Sequence, residues 1–265
     1  MPGRERRRQL ERERHQRQVA RRIHRDARRR TIQAVVTSVI AVLVIVGGVS
    51  VLAFKLSEDS RGKKPEAVPS TSNPGDCAYE KAQAGKTAGH VGTPPPQPNR
   101  HTQSATVRTN RGTLKLELYG EKAPCTVNSF TYLAENGYFD HTKCHRLVPK
   151  GIHVLQCGDP TGTGQGGPGY QFGTENAKGA KYTAGTVAMA NSGTPNSNGS
   201  QFFIVYKDAP KLPPKYTVFG KVTQGLDIVQ KVAKSGVTKV DPTVGGGPPK
   251  KPVKIEQVHI GGAAG

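Results

Sequence analysis

The sequence predicts a mostly β domain, a closed antiparallel barrel with two helices, preceded by one transmembrane helix. Three observations predict it. Residues 101–262 carry many short apolar strand patterns separated by Gly, Pro, Asn and Asp. Only two segments in that stretch have the periodicity of a helix. Upstream lies one uncharged apolar run of the length that a bilayer core demands.

The chain has 265 residues and a formal net charge of +20, unevenly spread. Residues 1–30 hold 13 Arg against 4 acidic residues, whereas residues 31–100 are nearly neutral, with 7 basic and 5 acidic residues. The 32 Gly and 20 Pro, with no Trp, exclude a helical bundle and point to turns and linkers. Residues 1–31 therefore read as a basic arm. Residues 32–54 run from Ile32 to Phe54 with only Gln33, Thr37, Ser38 and Ser50 breaking an apolar stretch of 23 residues. A buried core helix would keep a polar stripe, and this run has none. A cleaved signal peptide, with small residues near Ala53, is the alternative, but its apolar region is shorter and its basic stretch briefer. The arginine excess before the span predicts a cytoplasmic N-terminus and an extracytoplasmic remainder, a single-pass protein of the cell membrane. The same arm suits anionic lipid head groups. It has no aromatic residue for base stacking, so nucleic acid is not the expected partner.

Residues 55–100 read as a linker, because Pro65, Pro69, Pro74 and the run Pro94-Pro95-Pro96 alternate with Gly, Ser, Thr and Lys and offer little to bury. Cys77 and Tyr79 have no explanation in that reading. Residues 101–262 read as one domain, long enough for a real core. Thr106–Thr109 and Thr113–Tyr119 flank Asn110-Arg111-Gly112 and predict a hairpin. Pro124 opens a helix in which Val127, Phe130 and Ala134 share a face and which Gly137 ends. Short strands are predicted at Lys143–Val148, His153–Cys157, Thr186–Ala190, Gln201–Tyr206 and Tyr216–Val222. Leu226–Lys234 forms the second helix, and Val253–Ile260 the last strand. Short strands in this number, with two helices, imply a closed antiparallel barrel.

The chemistry-bearing stretches are Cys144-His145-Arg146-Leu147, Gln156-Cys157-Gly158-Asp159-Pro160-Thr161-Gly162-Thr163-Gly164, Met189-Ala190-Asn191, Asn198-Gly199-Ser200-Gln201-Phe202-Phe203-Ile204 and Tyr216-Thr217-Val218-Phe219-Gly220-Lys221-Val222. In this order, over nearly all of 106–260, they resemble the cyclophilin-type peptidyl-prolyl cis-trans isomerases, in particular membrane-anchored bacterial members. The resemblance implies an eight-stranded barrel and catalysis of rotation about X-Pro bonds, assisting the folding of exported proteins. It implies no metal and no cofactor. Its partners would be proline-containing polypeptides. A peptide bond rotates over a barrier of roughly 18–20 kcal/mol, because rotation breaks amide resonance. A fixed donor to the prolyl nitrogen lowers it by favouring the twisted amide over the planar one.

The resemblance makes Arg146 the catalytic donor. It places Phe203 and Leu212 in the proline pocket with Met189 nearby, and sets Gln156 and Gln201 against the substrate backbone. Ala190 and Asn191 pair with an extended peptide. Tyr216 stands where many relatives carry His, and Lys211 where many carry Trp, changes at the pocket rim that weigh against strong cyclosporin binding. Nine residues separate Arg146 from Gln156, about two more than in familiar eukaryotic members. The position usually filled by Phe then aligns with His153, with Val154 or Ile152 beside it. A His in the pocket wall predicts weaker activity in acid. A binding module with little turnover is the alternative function, resting on that polar wall; an envelope scaffold is a third.

The glycine-rich stretch Gly162–Gly169 lacks the Gly-Lys-Ser/Thr ending of a phosphate loop, and the eight His show no metal-ligand spacing. Four cysteines allow three complete pairings. Cys125, at the helix start, is expected to pair with Cys144, on the strand that bears Arg146, and Cys157 is expected inward as a buried thiol.

Overall fold

A computed structural model describes residues 75–82, 91–241 and 245–263. The arm, the apolar run 32–54 and residues 55–74 lie outside the described residues. Among the described residues no helix is long and apolar enough to cross a membrane.

The elements in chain order are β1 (Glu80–Lys81), β2 (Thr102–Thr109), β3 (Gly112–Tyr119), α1 (Pro124–Glu135), β4 (Arg146–Val148), β5 (Val154–Cys157), β6 (Tyr170–Gln171), β7 (Thr186–Met189), β8 (Phe202–Val205), β9 (Val218–Gln224), α2 (Leu226–Lys234) and β10 (Ile255–Ala263). Eight strands form one antiparallel sheet in the order β10-β2-β3-β9-β7-β8-β5-β4. The expected closure of the barrel is not found: no ladder joins the edge strands β4 and β10. The two edges meet only through an isolated Lys143–Lys254 bridge and loop hydrogen bonds such as Cys144 N–H to Val253 O at 2.9 Å. The reason is local. β4 has three residues, and the contact of the chain before it with β10 is confined to residues 142–144, too short for a ladder.

Alternation along the strands builds the core. In β3, Leu114, Leu116 and Leu118 are buried while Lys115 and Glu117 between them are not. The β2–β3 turn closes on Gly112, at φ 128, where Thr109 Oγ1 donates to the Gly112 carbonyl at 2.6 Å. Helix α1 begins at Pro124, whose missing N–H would have had no helical partner. Ala123 supplies no cap; the Glu175 carboxylate does so from a distant loop, accepting from Cys125 N at 3.1 Å and Thr126 N at 2.8 Å. Negative charge is favourable at that end of a helix. Val127, Phe130, Leu133 and Ala134 then face Phe139, Phe202 and Phe219 in the principal core, which Val229 and Val232 of α2 complete.

Part of the stretch read as linker is built into the domain. Cys77 is disulfide-bonded to Cys125, and Cys144 to Cys157, so the expected Cys125–Cys144 bridge is wrong and Cys157 is not a free thiol. The alternation that turns Cys157 inward is right. On the inner side it meets Cys144, which the short β4 brings past it, while Cys125 at the helix start faces outward to the N-terminal segment. Tyr79 packs edge-on against Tyr170 and Phe172 with ring centroids at 5.4 and 5.5 Å, and its hydroxyl donates to Cys125 O at 2.7 Å. β1 pairs with β6. Farther along, Pro95 O accepts from Asn128 Nδ2 at 2.7 Å and Val91 O from Tyr132 Oη at 2.6 Å. Residues 75–82 and 91–100 thus strap α1. The Cys77–Cys125 bridge spans 48 residues of chain, and closing a loop of that size restricts the unfolded state by about 2–4 kcal/mol. Cys77→Ser is expected to lower unfolding free energy in urea by that amount; peptide mapping without reductant is expected to recover the 77–125 and 144–157 pairs.

Candidate active site

The sheet has a second buried cluster on the face opposite the main core: Val148, Val154, Tyr182, Ala188, Phe203, Val205, Ala209 and Leu212. It floors a groove of about 480 Å³. The antiparallel register builds the polar side of that groove. Arg146 on β4 is the direct partner of Gln156 on β5, and Gln156 is the partner of Phe203 on β8. The three side chains therefore emerge side by side on one face. Arg146 Nη1 donates to Gln156 Oε1 at 3.0 Å, Gln156 Nε2 to Gln201 Oε1 at 2.8 Å, and Gln201 Nε2 to the carbonyls of Gly164 and Gly166 at 3.0 and 2.9 Å. At the other end of this chain Arg146 Nη2 donates to Gly245 O at 3.0 Å.

The apolar side is equally ordered. Phe203 meets Tyr216 edge-on at 5.3 Å between ring centroids. Tyr216 is held by Tyr182, whose hydroxyl donates to Tyr216 O and accepts from Tyr216 N, both at 3.0 Å. Leu212 and Val154 complete the wall. Asn191 donates to Lys215 O at 2.9 Å and accepts from Gly193 N at 3.1 Å, so the Ala190-Asn191 rim is braced from both sides.

The structure thus brings together Arg146, Gln156, Val154, Ala190, Asn191, Phe203, Leu212 and Tyr216, with Gln201 behind Gln156 in an adjoining hollow of about 350 Å³. Two expected residues are elsewhere. Met189 is the partner of Phe202 and lies in the main core, because Ala188 within β7 and Ala190 just beyond its end take the groove face. His153, at φ 44, breaks the alternation at the start of β5; its Nδ1 sits 3.1 Å from Asp208 O and its ring packs on Tyr206. Ile152 and Val154 line the groove in its place, so the wall is apolar and the acid-sensitivity argued from His153 has no basis there.

Geometry and comparison agree. The model of the cyclophilin type peptidyl-prolyl cis-trans isomerase/CLD family matches residues 104–260. The chain belongs to this family. It is similar to the probable peptidyl-prolyl cis-trans isomerase B of Mycobacterium leprae, 44% identical over 216 residues, covering 74% of this chain and 70% of that protein. The protein of the same name from Mycobacterium tuberculosis is 44% identical over 206 residues, covering 71% of this chain and 64% of its relative. A solved Cryptosporidium parvum cyclophilin type isomerase, crystallised in the presence of the dipeptide Ala-Pro, superposes with a TM-score of 0.52 at 35% identity, covering 60% of this chain and 98% of that one.

Two groups of this cyclophilin domain escaped the sequence. Asp159 is fully buried and anchors the glycine-rich loop: its carboxylate accepts from Thr161 N at 2.8 Å, Gly164 N at 2.6 Å and Thr163 N at 3.1 Å. Burial alone would raise its pKa, but the hydrogen bonds from Thr161 and from the backbone of Gly166, Thr161 and Gly164 hold it below its ordinary value. The loop so fixed offers Gln201 its two carbonyl acceptors. His145 lies beside Gly164, and neither of its buried ring nitrogens has a hydrogen-bond partner. The Asp-Pro-Thr-Gly-Thr-Gly run was a signal for the first, since a short acid followed by Thr and Gly makes local turns. Nothing in the sequence marked His145 beyond its place before Arg146.

Burial holds His145 below its ordinary pKa; the Asp159 carboxylate opposes this and the Arg146 cation reinforces it. The folded value is below the unfolded value of about 6.5, so the unfolded chain takes the proton first. Stability from neutral His145 is full above about pH 6.5 and is lost as pH falls through the folded pKa. Urea unfolding at pH 7.5 and at pH 5 is expected to show a smaller acid loss in His145→Gln than in the wild type.

Proposed function

We propose that the groove seats an X-Pro segment with the proline ring against Phe203, Leu212 and Val154, and that Arg146 donates to the prolyl nitrogen as the amide twists. The observation that carries this reading is the forked Arg146, held at Nη1 and Nη2 by amide oxygens on the border of an apolar pocket. As the bond rotates, resonance is lost and the nitrogen gains a lone pair. A cation already in place stabilises that state without reorganising, which is the origin of selective transition-state binding. Burial lowers the guanidinium pKa, against the attraction of Tyr216 and Asp241. Arginine nonetheless stays charged through the physiological range. Gln156 and Gln201 would hold the substrate backbone, and the Ala190-Asn191 rim its extended flank. The Ala-Pro dipeptide present with the Cryptosporidium parvum relative supports a proline-containing ligand here. The apolar wall formed by Ile152 and Val154 favours turnover over a recognition module with a polar pocket.

The cellular role we infer is a foldase for exported proteins, anchored by residues 32–54 with the catalytic domain outside the cytoplasm. Its support is the uncharged 23-residue run behind 13 arginines and two disulfides in the domain, which persist in oxidising compartments. The arm would rest on anionic lipid.

Exchange of an Ala-Pro peptide, followed by NMR without a coupling protease, tests the chemistry. The full-length protein is expected to accelerate exchange, and Arg146→Ala to lose about 100-fold in kcat/KM, the scale of removing one preorganised donor. A folded wild type that binds the peptide and leaves exchange at its spontaneous rate would overturn the isomerase reading.

A further inference from the structure

The run Gly245-Gly246-Gly247 has no part in the apolar chemistry of the groove, yet it borders it. It lies where the chain beyond α2 returns to the open edge of the sheet. Leu147 of β4 and Gly247 exchange two backbone hydrogen bonds, Leu147 N to Gly247 O at 2.8 Å and Gly247 N to Leu147 O at 3.0 Å. The segment is also tied to itself: Asp241 N donates to Gly246 O at 2.7 Å, Gly245 N to Asp241 O at 2.9 Å, and Thr238 N to Pro248 O at 2.9 Å. The outcome is that the Gly245 carbonyl is presented to Arg146 Nη2 at 3.0 Å.

Only glycine permits this approach. Gly246 stands at φ 121, and a Cβ there would lie 2.5 Å from the Leu147 carbonyl oxygen and 2.9 Å from Val148 Cγ2. A Cβ on Gly247 would collide with the Lys239 carbonyl. By contrast Gly236, at φ 75 in the same returning segment, has nothing within 4 Å of its Cβ position. The close packing against β4 is therefore specific to Gly246.

We propose that Gly245–Gly247 is a positioning segment for the isomerisation: by docking on β4 it delivers the carbonyl that holds the second arm of the Arg146 fork. Gln156 fixes only Nη1. With Nη2 also held, the guanidinium plane has one orientation toward the groove; with the segment displaced, Nη2 loses the Gly245 acceptor and the plane shifts. Misplacing a reacting group by about 1 Å costs up to about 100-fold in rate. The inference rests on the reading of Arg146 as the donor in rotation.

The test compares the full-length wild type with Gly246→Ala, Gly236→Ala and Arg146→Lys, using Ala-Pro exchange for kcat and KM and the Arg146 Nε–Hε resonance of labelled protein for the guanidinium itself. Gly246→Ala is expected to lose about tenfold in kcat, within the range for misplacement, with KM held and the resonance moved toward that of a solvated arginine. Gly236→Ala is expected to keep kcat and the resonance. An unmoved resonance in folded Gly246→Ala overturns the proposal whatever the activity, and so does a rise in KM at constant kcat, which would make the segment a substrate contact. If Gly246→Ala does not fold, Arg146→Lys decides: lysine keeps the charge without the fork, and retention of most of kcat sinks the idea. A wild type that leaves exchange at the spontaneous rate refutes the isomerase reading instead, and the resonance still judges the segment.

Discussion

Arg146 hydrogen-bonds Gln156 because the two are direct partners in an antiparallel strand pair, and most of the groove follows from that register. The next strand puts Phe203 opposite Gln156, and the one beyond puts Ala188 opposite Phe203. Across four strands one face therefore reads cation, amide, aromatic, methyl. Polar donor and apolar floor stand two strand spacings apart, which is about 10 Å. A slip of one residue in β5 would turn Leu155 and Cys157 toward the groove and bury Gln156 in the main core. The core forbids it, because Leu155, Cys157, Phe202 and Ile204 all pack there against α1 and α2. Burial on one side of the sheet thus sets the chemistry on the other.

The cross-links act on the same division. Cys144–Cys157 lies on the core side, directly behind the Arg146–Gln156 pair, and ties the chain entering β4 to the end of β5. That edge has few hydrogen bonds of its own, since β4 pairs over three residues. Cys77–Cys125 acts outside, where a strap with Tyr79 between Tyr170 and Phe172 covers the start of α1. The strap closes over apolar surface that the family-matched residues 104–260 would otherwise expose.

Strand alternation and helix ends were legible in the sequence because each is a local pattern. Pro124 and Gly137 bracket α1, Leu226–Lys234 is α2 residue for residue, and Phe202 and Phe203 divide between core and groove as the period of two requires. The same period would have excluded Met189 from the groove once Ala188 and Ala190 were assigned to it. What failed was not local. His153 looked like a strand residue, and its left-handed backbone is imposed by the turn from Gly151, itself at φ 84. The disulfide pairing depends on which face each cysteine reaches, and Cys77 sat in a proline-rich stretch whose only cue to packing was the neighbouring Tyr79. Barrel closure failed because three residues of β4 cannot carry a ladder to β10, a matter of length that the strand pattern at Lys143–Val148 overstated.

The glycine triplet shows why such a site resists reading from composition. Gly-Gly-Gly-Pro-Pro resembles a flexible connector, and the physical content of glycine there is the opposite of flexibility. An edge strand leaves backbone donors and acceptors open, and β4 is an edge whose outward groups at Leu147 are satisfied only by a chain that comes within hydrogen-bond range. A side chain at Gly246 would hold that chain away. Once the edge is covered, the carbonyl one step earlier in the turn necessarily falls beside Arg146, the first residue of the same strand. Covering the sheet edge and orienting the cation are therefore one structural event, which makes the rate of the reaction sensitive to backbone packing at residues that carry no functional group.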